Sequence, residues 1–158
     1  MRAASAAEPP VWRDFSPPGG GFSIRLPGQP AEQPVTEQGM HSFELQAGDE
    51  DYVVSYADLL PEMKSLVPAQ ILEKLRDDFV QRTSGARLVG SKPFRLDGKP
   101  GLSWVIEANA RGGPTYRIKM AAVVAGDRLY QYGFVGPRDT FDEVAVDRYL
   151  ETFELAPR

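Results

Sequence analysis

Residues 102–135 hold three runs in which apolar and polar or small side chains alternate with period two, the pattern of sheet strands. Joining residues 102–110 to 115–124 through the three-residue loop Arg111-Gly112-Gly113 sets Trp104 opposite Met120, Ile106 opposite Ile118 and Glu107 opposite Arg117. A slip of one residue would set Ile106 against Lys119 and mix the two faces, so the hydrophobic pattern itself selects the register. The next hairpin turns at Gly126-Asp127 and pairs Ala121 with Tyr132 and Val123 with Tyr130. One face then carries Leu102, Trp104, Ile106, Ile118, Met120, Ala122, Val124, Leu129 and Val135. The other carries Val105, Ala121, Val123, Tyr130, Tyr132 and Phe134, with Glu107, Asn109, Arg117 and Lys119 toward one end. A sheet that is apolar on both sides must be covered on both sides.

The cover is expected to be helical. Over residues 67–83, Ile71, Leu72, Leu75, Phe79 and Val80 recur at helical spacing, Pro68 suits the first turn, Ser65 can cap and Gly85 stops the helix. Near the C-terminus, Thr140 and Glu143 have capping-box spacing, and Phe141, Val144, Ala145, Tyr149 and Phe153 give an apolar stripe. Strands are expected at residues 22–26, weakly at 32–37, at 41–47 and at 52–57, read as an antiparallel meander. Residues 87–96 read as one strand or two, with Pro93 marking an edge or a bulge. The fold class expected is therefore α+β, an α/β/α sandwich with a central, mainly antiparallel sheet and helices on both faces.

Ahead of this pattern, residues 1–20 are rich in Ala, Pro and Gly and read as a flexible leader, with one globular domain over residues 21–158. Ala3-Ala4-Ser5-Ala6-Ala7 has the small-residue step of a signal-peptidase site, so the leader reads either as the remnant of an export signal or as a plain tail. The first reading places the protein in the periplasm or outside the cell, and the second leaves it cytoplasmic. At 158 residues and 17.4 kDa the chain fits one core.

Composition removes whole classes of chemistry. With no cysteine and one histidine, His41, the chain offers no thiol nucleophile, no disulfide and no multi-histidine metal site. A net charge of -4 has the wrong sign for tracking a phosphate backbone, which argues against nucleic acid as a partner. The longest apolar run, Met120 to Ala125, has six residues against the roughly 18 of a membrane span, so none is expected.

Local motifs add little. Gly85 to Lys92 has phosphate-loop glycine spacing, yet Ser91 precedes Lys92 where the loop needs the reverse order. Asp49-Glu50-Asp51 lacks the ligand alternation of a calcium loop and reads as a solvated turn, and Asp77-Asp78 as an exposed helix face. His41 shares a strand face with Phe43 and Leu45 and reads as structural, and Arg111-Gly112-Gly113 as turn chemistry. The candidate site is the polar end of the second sheet face, where Glu107, Arg117 and Lys119 lie near Tyr132 and Phe134. Convergent charge beside aromatic walls suits a small ligand or a protein partner, and the structural alternative is an ordinary cross-strand ion pair.

The order of elements carries a resemblance. Gly21-Phe22-Ser23-Ile24-Arg25-Leu26-Pro27 opens the domain, and Tyr52-Val53-Val54-Ser55-Tyr56-Ala57-Asp58, a helix and three long strands follow. Asp147-Arg148-Tyr149-Leu150-Glu151-Thr152-Phe153-Glu154-Leu155 closes it. Over about residues 21–155 this resembles the PsbP-like superfamily, whose members include an extrinsic subunit of photosystem II, a Ran-binding nuclear import factor and many bacterial exported proteins. The resemblance implies an α/β/α sandwich and partner-specific binding, and it carries no metal-binding or Ran-binding residue onto this chain. The expected function is thus a non-enzymatic binding or accessory domain without a cofactor, acting on a protein partner or small ligand. The alternative is a carboxylate-based hydrolase, which needs two acidic groups roughly 5–9.5 Å apart in a pocket.

Overall fold

A computed structural model describes residues 11–109 and 112–156. Its strands are β1 (Arg13–Phe15), β2 (Phe22–Leu26), β3 (Ala31–Glu32), β4 (His41–Ala47), β5 (Glu50–Asp58), β6 (Ala86–Leu96), β7 (Lys99–Ala108), β8 (Tyr116–Ala125), β9 (Arg128–Pro137) and β10 (Glu154–Leu155). The helices are α1 (Pro68–Arg82) and α2 (Glu143–Leu150), each preceded by a short 3₁₀ turn. Seven strands form one antiparallel sheet in the order β3-β4-β5-β9-β8-β7-β6, and β1, β2 and β10 form a second, small sheet. The architecture is the α+β sandwich expected. Its second cover layer is larger than a single helix, because α2 shares that side with the β1-β2-β10 sheet.

The central hairpins have the register that the apolar alternation selects, with Trp104 opposite Met120, Glu107 opposite Arg117 and Ala121 opposite Tyr132. Two cores result. On one side Trp104, Ile106, Met120 and Ala122 pack against Ile71 and Leu72 of α1. On the other, Ala121, Val123, Tyr130, Tyr132 and Phe134 pack against Phe22, Ile24, Val146, Tyr149 and Phe153. There Phe153 lies between Tyr132, with ring centroids 4.1 Å apart, and Phe22, at 5.4 Å, joining the large sheet to β2.

Several local expectations are corrected. β2 leaves the meander and pairs with β1 and β10, which lets its alternate residues Phe22, Ile24 and Leu26 point into the second core. Folded structure also reaches further toward the N-terminus than residue 21, since Arg13–Phe15 pairs with β2 and Trp12 packs edge-on to Tyr52 at 5.7 Å. The rest of the expected leader, residues 1–10, lies outside the described residues. The weak strand over 32–37 shrinks to Ala31–Glu32, because the Thr36 hydroxyl accepts from Met40 N and closes a turn through Gly39, whose φ of +82° is left-handed.

At α1 the cap is Gln70, whose side-chain oxygen accepts from Val67 N, while Ser65 Oγ donates to the Glu62 carbonyl instead. At α2 the N-cap is Asp142 rather than Thr140, its carboxylate accepting from Val144 N and Ala145 N. That rotation puts Val146 and Tyr149 inward and leaves Val144 at the surface. β6 is an edge strand, as Pro93 suggests, but the irregularity falls between Leu88 and Gly90 while Pro93 stays in register opposite Leu102. A bulge, a proline and three cations on one edge, and a two-residue strand on the other, protect the sheet from pairing with another chain.

Candidate functional site

The five residues of the polar margin divide. Glu107 is buried and accepts from Arg87 Nη2 at 2.9 Å and from Arg117 Nη1 at 3.1 Å. Arg117 Nη2 then reaches Glu143 Oε1 at 3.3 Å, and Lys119 Nζ reaches Glu143 Oε2 at 3.1 Å and Asp147 Oδ1 at 2.6 Å. Charge alternates through this ladder from β6 across β7 and β8 to α2. Burial acts to lower the Lys119 pKa, but the hydrogen bonds to Asp147 and Glu143 outweigh it and the net shift is upward. Tyr132 and Phe134 are 3% and 5% exposed and form core under α2 rather than open aromatic walls. Of the five, only Lys119 and Tyr132 also border a cleft, of about 370 Å³, between β6 and α2.

A different site follows from the mismatch between one helix and seven strands. A helix with side chains is roughly 10–12 Å across and strands are about 4.8 Å apart, so one helix covers two or three strands. α1 lies over β6, β7 and β8, and the same sheet face beyond it, on β5 and β9, borders a groove of about 360 Å³. Leu75 and Phe79 of α1 form one wall, Leu60 and Met63 of the 3₁₀ turn a second, and Met40 ahead of β4 a third. Ala57, Leu129 and Gln131 form the floor.

Gln131 is the unusual member. It is 9% exposed, and its amide makes no hydrogen bond to any described residue although it borders the groove. Its amide is not cut off from solvent, unlike Asp51 Oδ1, Trp104 Nε1 and Arg117 Nε, so the open side of the groove is where it can be reached. Three charged groups border the groove. Asp58 is held by Arg128 at 3.1 Å and Asp78 by Lys74 at 3.5 Å, whereas Arg82 has no carboxylate within salt-bridge distance among the described residues.

Sequence reading passes over this site because β9 looks continuously apolar. The signal lies in its period: on the α1 face the strand reads Leu129, Gln131, Gly133, Val135, with a polar and then an empty position in mid-strand. Gly133 lies under Met120, whose sulfur occupies the space a side chain would need. Opposite Gln131 stands Ser55 and beyond it Ser42, so the uncovered part of the face is small and polar in sequence too.

The remaining sequence candidates fall into structural places. His41 stacks on Tyr56 with centroids 4.7 Å apart and planes 6° apart. Gly85 ends the turn after α1, and Gly90 to Lys92 lie within β6. Only Asp49 of the acidic run lies in the β4–β5 turn; Glu50 and Asp51 begin β5 half-buried rather than solvated, and burial raises the pKa of both, with Asp49 adding to the effect at Glu50. Asp77 pairs with Arg76 at 3.0 Å. No group of three or more potential ligands that could hold a metal occurs among the described residues, and no helix among them is long and apolar enough to cross a membrane.

No protein-family model and no curated protein matches the sequence. Among solved structures the chain is similar to cyanobacterial PsbP from Synechocystis sp. PCC 6803, at a TM-score of 0.67 and 14% identity over 98% of both chains. The fold is PsbP-like. LpqN of Mycobacterium tuberculosis, described as involved in cell envelope biogenesis, is similar at a TM-score of 0.62 and 11% identity, over 93% of this chain and 91% of LpqN. A Pseudomonas aeruginosa protein of unknown function, PA94, gives 0.57 and 10% over 93% and 97%. At these identities the PsbP-like fold is shared while the chemistry of the sites is free to differ.

Proposed function

We propose that this PsbP-like chain is a non-enzymatic binding domain that holds a small ligand in the groove between α1 and β9. The observation that carries the reading is Gln131, a 9% exposed polar residue on the groove floor whose amide has no hydrogen-bond partner among the described residues and which a ligand's polar group could meet. A volume of about 360 Å³ and mostly apolar walls with few polar groups are the properties of a small-molecule site. The Glu107-Arg117-Lys119 margin is the weaker candidate, because its charges already pair with one another and with those of α2, leaving only Arg117 Nε buried without a partner among the described residues. No described feature favours a carboxylate-based hydrolase, since both carboxylates at the groove are engaged by cations. An exported, envelope-associated location is proposed from the small-residue step near the N-terminus and from the description of LpqN.

The test is a titration of the full chain with 2-naphthol, a compact apolar molecule with one hydroxyl, followed through backbone amide resonances. Changes confined to residues 38–40, 57–63, 75–83 and 129–131 support the groove. Changes confined to residues 107, 117 and 119, or none at millimolar probe, overturn it.

A further inference from the structure

Resting on that reading, the geometry points to a more specific ligand: a compact hydrophobic carboxylic acid carrying a second, uncharged hydrogen-bonding group. Apart from the exposed Gln38, two polar groups at the groove have no side-chain partner among the described residues, and they lie on different elements and differ in chemistry. Gln131 comes from the floor, on β9, and Arg82 from the last turn of α1. An amide both donates and accepts, so it fits a hydroxyl or carbonyl, whereas a guanidinium only donates and favours a carboxylate. Asp58 and Asp78 pair with Arg128 and Lys74, so Arg82 is the one charged group at the groove without an ion-pair partner among the described residues. Apolar side chains of α1 and of the 3₁₀ turn line the same groove, which favours an apolar body for the ligand. Met40 and Met63 contribute unbranched, polarisable walls that adapt to either an aromatic or an aliphatic body.

This assignment makes the two polar ends of the ligand separable. Binding of 6-hydroxy-2-naphthoate, 2-naphthoate and 2-naphthol to the full chain is measured by calorimetry, for the native sequence and for Arg82→Gln and Gln131→Leu. Arg82 is exposed, so its replacement leaves the fold intact, and circular dichroism and melting check Gln131→Leu. The expected order is 6-hydroxy-2-naphthoate first, each polar group adding about tenfold in affinity. Arg82→Gln should remove the advantage of the acids over 2-naphthol. Gln131→Leu should remove the advantage of the hydroxy acid over 2-naphthoate. Equal affinity for 2-naphthol and the two acids overturns the assignment while leaving the groove as a binding site. Binding of the acids that neither substitution changes overturns it as well. Absence of binding by all three overturns both the assignment and the groove.

Discussion

Lys119 on β8 and Asp147 on α2 meet at 2.6 Å, with Glu143 one helical turn earlier bonded to the same ammonium at 3.1 Å. The contact ties α2 to the sheet edgewise, while Tyr149 and Val146 anchor it through the core. The charge that reads in sequence as a ligand-recognition cluster also ties a two-turn helix to the sheet, and the two ends of the ladder should respond differently to mutation.

At the exposed end, Lys119→Met frees Asp147 and Glu143 to turn to water, since both are nearly half exposed, and the expected loss is about 1 kcal/mol. At the buried end, Glu107→Gln leaves Arg117 and Arg87 facing a neutral group in a site that is 9% exposed, and about 2–3 kcal/mol is expected. Urea unfolding of the two variants measures the difference. Equal losses would contradict the ladder as described.

The Lys119 pKa is raised above 10.5 in the folded state. Its contribution is therefore fully present below the unfolded value and is lost as pH rises through the higher folded one. The stability difference between native protein and Lys119→Met should be constant at neutral pH and vanish in strong alkali. A difference that shrinks between pH 6 and 8 would point to another group.

Asp51 has the opposite sign. Burial raises its pKa above 3.8, and its Oδ1 is enclosed without a hydrogen-bond partner among the described residues. A raised carboxyl pKa means that the folded state binds the proton more tightly, so this group destabilises above its folded pKa and ceases to do so below 3.8. Asp51→Asn should raise the melting temperature at pH 7, and the gain should fade as pH approaches 3.8.

Phe153 lies between Phe22 and Tyr132 and is 1% exposed, so Phe153→Ala should cost about 3–5 kcal/mol. Val144, assigned to the same apolar stripe by spacing alone, is 62% exposed, and Val144→Ala should change stability by about 0.5 kcal/mol or less. Thermal melts of the pair test whether Asp142 rather than Thr140 starts α2.

The central sheet is legible in the sequence because period-two alternation fixes strand, face and register together: Ile106 can oppose Ile118 only if Glu107 opposes Arg117. Capping is less legible, since Thr140 and Asp142 are both competent and Val146 must be buried for the choice to be made. The departure of β2 into a second sheet is not legible either, because Phe22-Ser23-Ile24-Arg25-Leu26 alternates identically whichever partner it pairs with. The polar margin shows in sequence as charge, and its partners Glu143 and Asp147, distant along the chain, do not. The groove is hidden for a further reason. It arises where α1 stops covering the sheet, a property of layer widths, and its sequence trace is Gln131 and Gly133 in an apolar strand with Ser55 and Ser42 beside them.

The account stands most directly on what occupies that groove. Crystals of the full chain soaked in 6-hydroxy-2-naphthoate should show the ligand between α1 and β9, with an oxygen within hydrogen-bond distance of the Gln131 amide. Ligand density at the β8–α2 margin beside Lys119, with the groove unoccupied, would contradict it.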